Sequence, residues 1–444
     1  MRLLYTIGIW LYGLGVRVAA LFGHRNARLM LHGWNHWREE LQKLDSRPVV
    51  WFHVASLGEF EQARPVLERY HEMHPDRQVL LTFFSPSGYE VRKNYPQAQA
   101  VCYLPPDLPV TVNRFVKCIG NLQTVFFVKY DFWFNYLDAL RLRGVPTYIF
   151  STIFRPTQYF FKTWGCWFLE QLDRCFTHIF VQNDESLKLL RNHAVEHCSL
   201  AGDTRFDRVH QIAVSDIHNE VVEHWLGDFD GKVMVCGSTW PPDEELIKEC
   251  VSALMSKCVS ADATAANTIT QSHNNAIRLI IAPHVINEEH LQAIEKLFPD
   301  SVRYSKCVSD NDASASNTIT QSHNNAFSRV LIIDNIGLLS QLYRYADVAY
   351  IGGGFGVGIH NTLEAITFGK PVLFGPNYHK FKEARDIVSL GGGFCHNDAD
   401  TMRRNLEPLL TDPAAYRRAS ESCSAYMQAN LGSTDKIIKK ISEK

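Results

Sequence analysis

The sequence predicts an α/β protein built on two parallel, doubly wound sheets, with an apolar helix ahead of them. Three observations carry that expectation. Short, near-continuous apolar runs alternate with segments of helical period; the alternation comes in two series; and a polar, glycine-containing stretch at 202–209 separates the series. Strands that are apolar on both faces belong to parallel sheets covered by crossover helices. At 444 residues the chain has room for two domains and an appendage, at ~150 residues per domain.

The appendage comes first. Residues 3–22 read LLYTIGIWLYGLGVRVAALF, with Arg17 as the only charge. A spanning helix needs about 20 apolar residues, and an arginine at mid-bilayer is costly. A helix inserted at a shallow angle, a span with Arg17 snorkelling to the interface, and a helix packed on the body are all open readings. No A-x-A-like cleavage site follows, which disfavours removal as a signal peptide. Arg25, Arg28, Arg38, Lys43 and Arg47 then outnumber Glu39, Glu40 and Asp45, with Trp34 and Trp37 interleaved. Basic and indole flanks of this kind fit the cytoplasmic side of a membrane. Residues 1–43 are read as anchor and flank.

The first strand series is RPVVWFHVA (47–55), RQVLLTFF (77–84), LQTVFFVKY (122–130), VPTYIFST (145–152) and HIFVQN (178–183). The second is KVMVCGS (232–238), IRLIIAPH (277–284), RVLIIDN (329–335), DVAYIGG (347–353), KPVLFGP (370–376) and GGGFCHN (391–397). Two such series imply two Rossmann-like domains facing each other, with ligand at the carboxyl ends of the strands; the boundary is drawn between 207 and 208. A near-verbatim repeat, SKCVSADATAANTITQSHNNA at 256–276 and SKCVSDNDASASNTITQSHNNA at 305–326, precedes two strands of the second domain. Its small polar residues bury little surface, so both copies are expected to be surface loops without catalytic role.

Composition narrows the partners. The chain is 46% hydrophobic and 21% charged, with a formal net charge of -2, which leaves no basic footprint for nucleic acid. Eleven cysteines include no C-x-x-C pair, so a reducing compartment and no metal cluster are expected, with Cys102 and Cys236 as buried hydrophobes. His71 and His74 lack the H-E-x-x-H spacing and are expected on solvated helix surface. The aromatic run YFFKTWGCWFLEQL (159–172) reads as a helix, packed in the core or offered to a lipid.

Four turns carry chemistry. In GGGFGVGIHNTLEA (352–365), glycines allow backbone N–H groups close to a phosphate, the following helix start favours an anion, and Glu364 can grip ribose hydroxyls. The spacing is neither G-x-G-x-x-G nor G-x-x-x-x-G-K-[ST], and a plain tight turn is the alternative. In WFHVASLGEFEQARP (51–65), Glu59 opens a helix at a strand's carboxyl end, suited to a general base. The bland reading is a first-turn acid worth a few tenths of a kcal/mol through the dipole. GSTWPPDEE (237–245) puts Ser238 and Thr239 at a helix start, as phosphate or base donors or as simple caps. FGPNYHKFKEA (374–384) places Asn377, His379 and Lys380 beside the same site, Lys380 either neutralising a phosphate or merely solvated.

Taken in order, HVASLGEFEQARP, SPSGYE (85–90), YLPPDLPVTVNRF (103–115), GDTRFDRV (202–209), GSTWPPDEE and GGGFGVGIHNTLEA with KPVLFGPNYHKFKEA give the chain a family likeness. It resembles the bacterial Kdo transferases, which move 3-deoxy-D-manno-octulosonic acid (Kdo) from CMP-Kdo to the lipid A precursor. The likeness runs from residue 44 to the C-terminus apart from the two repeats.

The resemblance implies a GT-B glycosyltransferase that inverts the sugar and needs no metal or other cofactor. Residues 44–207 would bind the acceptor and residues 208–444, with a C-terminal helix, the donor. Glu59 stands where the family has its catalytic base, and acceptor contacts are expected from Ser56, Gly58, Asp131 and Arg155. Donor contacts are expected from Ser238, Thr239, Gly353, Gly354, His360, Asn361, Glu364 and Lys380. The implied partners are CMP-Kdo, the lipid A precursor and inner-membrane lipids, on the cytoplasmic face of that membrane. The chain departs from the common pattern at KYDFWFN (129–135), where the family has E-T-E-x-W-P-N, at STIFRPTQYFF (151–161), and at APH (282–284), which lacks an arginine before the histidine. A GT-B enzyme using a UDP-sugar, as transferase or 2-epimerase, and a non-catalytic sugar-nucleotide sensor are the other readings.

Overall fold

The computed structural model describes residues 1–262, 277–312 and 328–443, with backbone only for 256–262 and 309–312. The chain forms two compact units, Met1–Arg208 with Asn430–Lys444, and Val209–Ala429.

The first unit is a seven-stranded sheet of β1 (Val49–Val54), β2 (Gln78–Phe83), β3 (Ala100–Tyr103), β4 (Leu122–Val128), β5 (Thr147–Thr152), β6 (His178–Val181) and β7 (Cys198–Leu200). The order is β3-β2-β1-β4-β5-β6-β7 and every pair is parallel. Such pairing requires crossover helices, and both faces of β1 are buried as a result, all six residues of VVWFHV. Val50, Phe52 and Val54 enter one core and Val49 and Trp51 the other. At roughly 1.5–3 kcal/mol per large apolar side chain, this burial outweighs any helix-end effect in fixing the strand. The order reverses between β1 and β4, which opens a crevice at their carboxyl ends.

The second unit repeats the plan with β8 (Lys232–Thr239), β9 (Ile277–Pro283), β10 (Ser301–Arg303), β11 (Val330–Ile332), β12 (Val348–Ile351), β13 (Val372–Phe374) and β14 (Gly393–Cys395). Its order is β10-β11-β9-β8-β12-β13-β14, again parallel throughout, with the reversal between β8 and β12. Each of the eleven expected runs contains one of these strands. The three that sequence reading missed, β3, β7 and β10, have three or four residues.

Ahead of β1, helices Arg2–Leu21 and Arg25–Leu41 form a hairpin on the first unit. Among the described residues, Arg2–Leu21 is the helix long and apolar enough to cross a membrane, with 17% of its most apolar window buried. Trp34 and Trp37 anchor its companion. Gly33 lets that helix lie on the Tyr103 ring, which a Cβ would overlap.

Several expectations need correction. The closing helix Ser433–Ser442, assigned by sequence to the second domain, belongs to the first unit. Ile437 and Ile438 enter the first unit's core, and Asp207 accepts from the N–H groups of Gly432 (2.8 Å) and Thr434 (2.6 Å). Both repeats begin inside helices, Pro241–Asp262 and Tyr304–Asp312, and not in loops; 263–276 and 313–326 lie outside the described residues. The aromatic run at 159–172 is two 3₁₀ turns, Tyr159–Phe161 and Thr163–Gly165, before helix Cys166–Cys175. Gly165 forces that break, since a Cβ there would meet the Tyr159 carbonyl. His71 and His74 are half-buried, His74 lying 4.6 Å from the Tyr70 ring.

Candidate active site

In the first unit the reversal gathers residues from the ends of β1 and β4. After β1, Ser56 is extended and precedes helix Leu57–Met73, which puts Glu59 in the first turn. The Ser56 hydroxyl donates to Glu59 Oε2 at 3.2 Å. Gly58 is exposed and has open space where a Cβ would sit. After β4, Lys129 takes a left-handed turn (φ 67°) that carries the chain to Asp131. Burial, and next the charge of Glu59, push the Asp131 carboxyl well above its usual range, against the pull of Lys129.

Beneath them lies His53, fully buried and the only polar side chain of β1. Trp133 Nε1–H donates to His53 Nε2 at 3.1 Å. Nδ1 therefore carries the hydrogen and donates to Thr82 Oγ1 at 2.8 Å, an oxygen that also accepts from Trp51 Nε1 at 2.7 Å. Burial holds the imidazole at about 3, so it is neutral. The 3.4 Å approach of Asp131 Oδ2 to Nε2 is consequently not an ion pair, and Oδ2 has no hydrogen-bond partner among the described residues. Two carboxyls share the crevice, Asp131 with its pKa raised by burial and Glu59 half-exposed in the first turn of its helix. Arg155 stands apart, exposed beyond β5 with its backbone tied to Gln158.

In the second unit the residues expected to hold a donor surround the reversal between β8 and β12, but with different tasks. Ser238 sits at a bulge opposite β9 with φ 54°, a costly conformation for a non-glycine residue. Thr239 is buried and its hydroxyl donates to Glu244 Oε1 at 2.8 Å, so it faces inward and is not an open donor. Both residues end β8; the helix begins only at Pro241. The Gly353 N–H, expected to meet a phosphate, is held by Asp243 Oδ2 at 3.0 Å, and the same carboxylate accepts from Trp240 N–H (2.9 Å) and the Tyr350 hydroxyl (2.8 Å).

The glycines here serve backbone packing. A Cβ on Gly352 would overlap the Ser238 carbonyl, and one on Gly354 would come 2.6 Å from Gly375 Cα. The helix after the turn, Leu363–Ile366, has four residues, too few for the dipole that the sequence suggested. Glu364 Oε1 accepts from Asn361 Nδ2 at 3.1 Å. His360 remains on the open side: its ring stacks on His284 (4.4 Å, 26°) and His284 on Trp240 (4.8 Å, 27°). Burial, then His284, lowers the His360 pKa. Three stacked rings offer flat faces and ring nitrogens to a planar or anionic ligand. Lys380 is exposed after β13. Sequence reading missed His53, Asp243 and the ring stack; the one polar residue in an apolar strand and the acid three positions after Trp240 were the available signals.

Residues 35–208 match the family described as 3-deoxy-D-manno-octulosonic-acid transferase (kdotransferase). The chain is 26% identical over 402 residues to the 3-deoxy-D-manno-octulosonic acid transferase of Bordetella pertussis, covering 88% of this chain and 86% of that protein. To the enzyme of the same name from Haemophilus influenzae it is 22% identical, covering 88% and 85%. By sequence the chain is similar to the Kdo transferases over most of its length. These relatives support a glycosyltransferase, and the two doubly wound sheets are of the GT-B class. Among solved structures, the UDP-GlcNAc 2-epimerase of Neisseria meningitidis bound to UDP-GlcNAc superposes with a TM-score of 0.57 at 13% identity, covering 89% of this chain and all of that one. That likeness speaks for the fold.

Proposed function

We propose that the protein transfers Kdo from CMP-Kdo to the lipid A precursor, lipid IVA, at the cytoplasmic face of the inner membrane. Residues 44–207 take the acceptor and residues 208–444 the donor. Support for the activity comes from the Kdo transferase relatives. The observation that carries the mechanism is the carboxyl pair: Glu59 lies in a helix first turn with Oε2 held by the Ser56 hydroxyl, beside an Asp131 carboxyl that burial raises well above its usual range.

In the proposed step, the acceptor's primary hydroxyl oxygen attacks the anomeric carbon of Kdo as the bond to the CMP phosphate oxygen breaks, and the configuration inverts. The bonding pair leaves with CMP and the hydroxyl proton passes to Glu59. The Ser56 hydroxyl steadies Oε2, which leaves Oε1 to receive the proton. Ser56, Gly58, Asp131 and Arg155 are proposed to face the acceptor. On the donor side, His360 and Lys380 are proposed to meet the acidic groups and the Trp240–His284–His360 stack the planar base. Ser238, Gly353, Gly354, Asn361 and Glu364 are proposed to shape the turn, with Thr239 behind it. No metal takes part.

Incubating the purified chain with CMP-Kdo generated in situ and a tetraacylated lipid A precursor, then weighing the lipid by mass spectrometry, tests the reading. A mass gain of one or more Kdo units is expected. Unmodified lipid, or turnover of UDP-GlcNAc in its place, would contradict it.

A further inference from the structure

We infer that helix Arg2–Leu21 lies in the plane of the membrane surface, along the first unit, and does not cross the bilayer. The inference shares with the proposed function only the presence of a membrane and makes no use of sugar transfer.

The helix is pinned lengthwise by polar contacts. Arg2 Nη1 meets Asp138 Oδ2 at 2.6 Å, Tyr5 donates its hydroxyl to Asp107 Oδ2 at 2.6 Å, and Asn135 Nδ2 reaches Thr6 Oγ1 at 3.4 Å. Farther along, Tyr12 stacks on Phe84 (6.0 Å, 26°), and Gly13, Val16 and Ala20 are buried. The inward positions recur every three or four residues, so a single face of the helix is docked from its first turn to its last. A helix crossing the bilayer would draw Asp107, Asn135 and Asp138 into hydrocarbon or tear away from them; either costs more than the pins can tolerate.

The opposite face has no partner among the described residues. Leu4, Ile7, Leu11, Leu14, Val18 and Leu21 form a continuous exposed apolar stripe along a helix ~30 Å long, the kind of patch that marks an interaction or membrane site. A lipid surface is the occupant that fits. The stripe ends at exposed Phe22, beside the exposed cations Arg17, Arg25 and Arg28, a combination that suits the boundary between acyl chains and anionic headgroups.

This posture has a consequence for the site. Tyr12 contacts Phe84, Phe84 lies 5.1 Å from the Trp133 ring, and Trp133 donates to His53 beside Asp131. A row of aromatic rings therefore links the in-plane helix to the crevice that holds Glu59.

The test uses the full chain with one epitope and a protease site ahead of Met1 and a second epitope after Lys444, in sealed vesicles. Both epitopes should be cleaved from the same side; cleavage from opposite sides overturns the inference. In a second measurement, the Ile7→Glu, Leu11→Glu, Leu14→Glu variant should co-sediment with phosphatidylethanolamine–phosphatidylglycerol vesicles about tenfold less than the unaltered chain, with unchanged thermal stability because these side chains face outward. If the unaltered chain ignores such vesicles, and the substitutions instead dissociate an oligomer, the stripe serves a second copy and the inference fails. A chain that passes both measurements yet moves no Kdo would refute the proposed function alone.

Discussion

Glu59 and Asp131 illustrate how two carboxyl groups in one crevice take different roles from their surroundings. Asp131 is nearly enclosed, and burial raises its carboxyl well above the usual range, whereas in the unfolded chain it releases its proton above about pH 4. Between those limits the unfolded state binds fewer protons, so this residue lowers stability as pH rises. Replacing Asp131 by Asn should therefore raise the melting temperature at pH 7 and leave it nearly unchanged at pH 4, as read by calorimetry at the two values. His53 acts with the opposite sign. Held at about 3 when folded and near 6.5 when unfolded, it makes the native state lose stability as pH falls below 6.5, by about 3 kcal/mol at pH 4. Urea midpoints should drop across that interval, and a His53→Gln chain should show a flatter acid limb.

At the scale of elements, the turns after the strands decide what the site can be, and two glycines there should respond oppositely to alanine. Gly58 sits in a helix with open space at its Cβ position, so Gly58→Ala should be neutral or stabilise by up to about 1 kcal/mol. Gly354 faces the backbone of Gly375, which cannot swing away, so Gly354→Ala should cost about 2–3 kcal/mol in urea unfolding. Both sheets were legible in the sequence because parallel strands buried on two faces leave long apolar runs, as in VVWFHV and IRLIIAP. The short edge strands β3 and β10 and the short β7 leave too few residues for a pattern. The placement of Glu59 at the end of β1 was legible from the turn that follows the strand. The partners of Thr239 and Gly353 were not, since Glu244 and Asp243 reach them by folding back from the next helix. Nor was the unit to which the expected closing helix attaches, since that depends on Asp207, far away in sequence.

On the scale of the whole molecule, each unit repeats one device: a parallel sheet whose strand order reverses at a crevice, with polar residues at the two strand ends that flank it. The first unit supplies the Glu59 carboxyl and a lipid-facing helix; the second supplies a glycine turn and a stack of rings. That division suits transfer from a soluble nucleotide sugar to a membrane lipid, with the proton taken by a single carboxylate. Comparing unaltered chain and Glu59→Gln for CMP-Kdo affinity and for transfer to the tetraacylated lipid is the most direct test. The account predicts that transfer falls by roughly 10²–10⁴-fold while donor affinity stays within about twofold. Transfer by Glu59→Gln at the unaltered rate would contradict it.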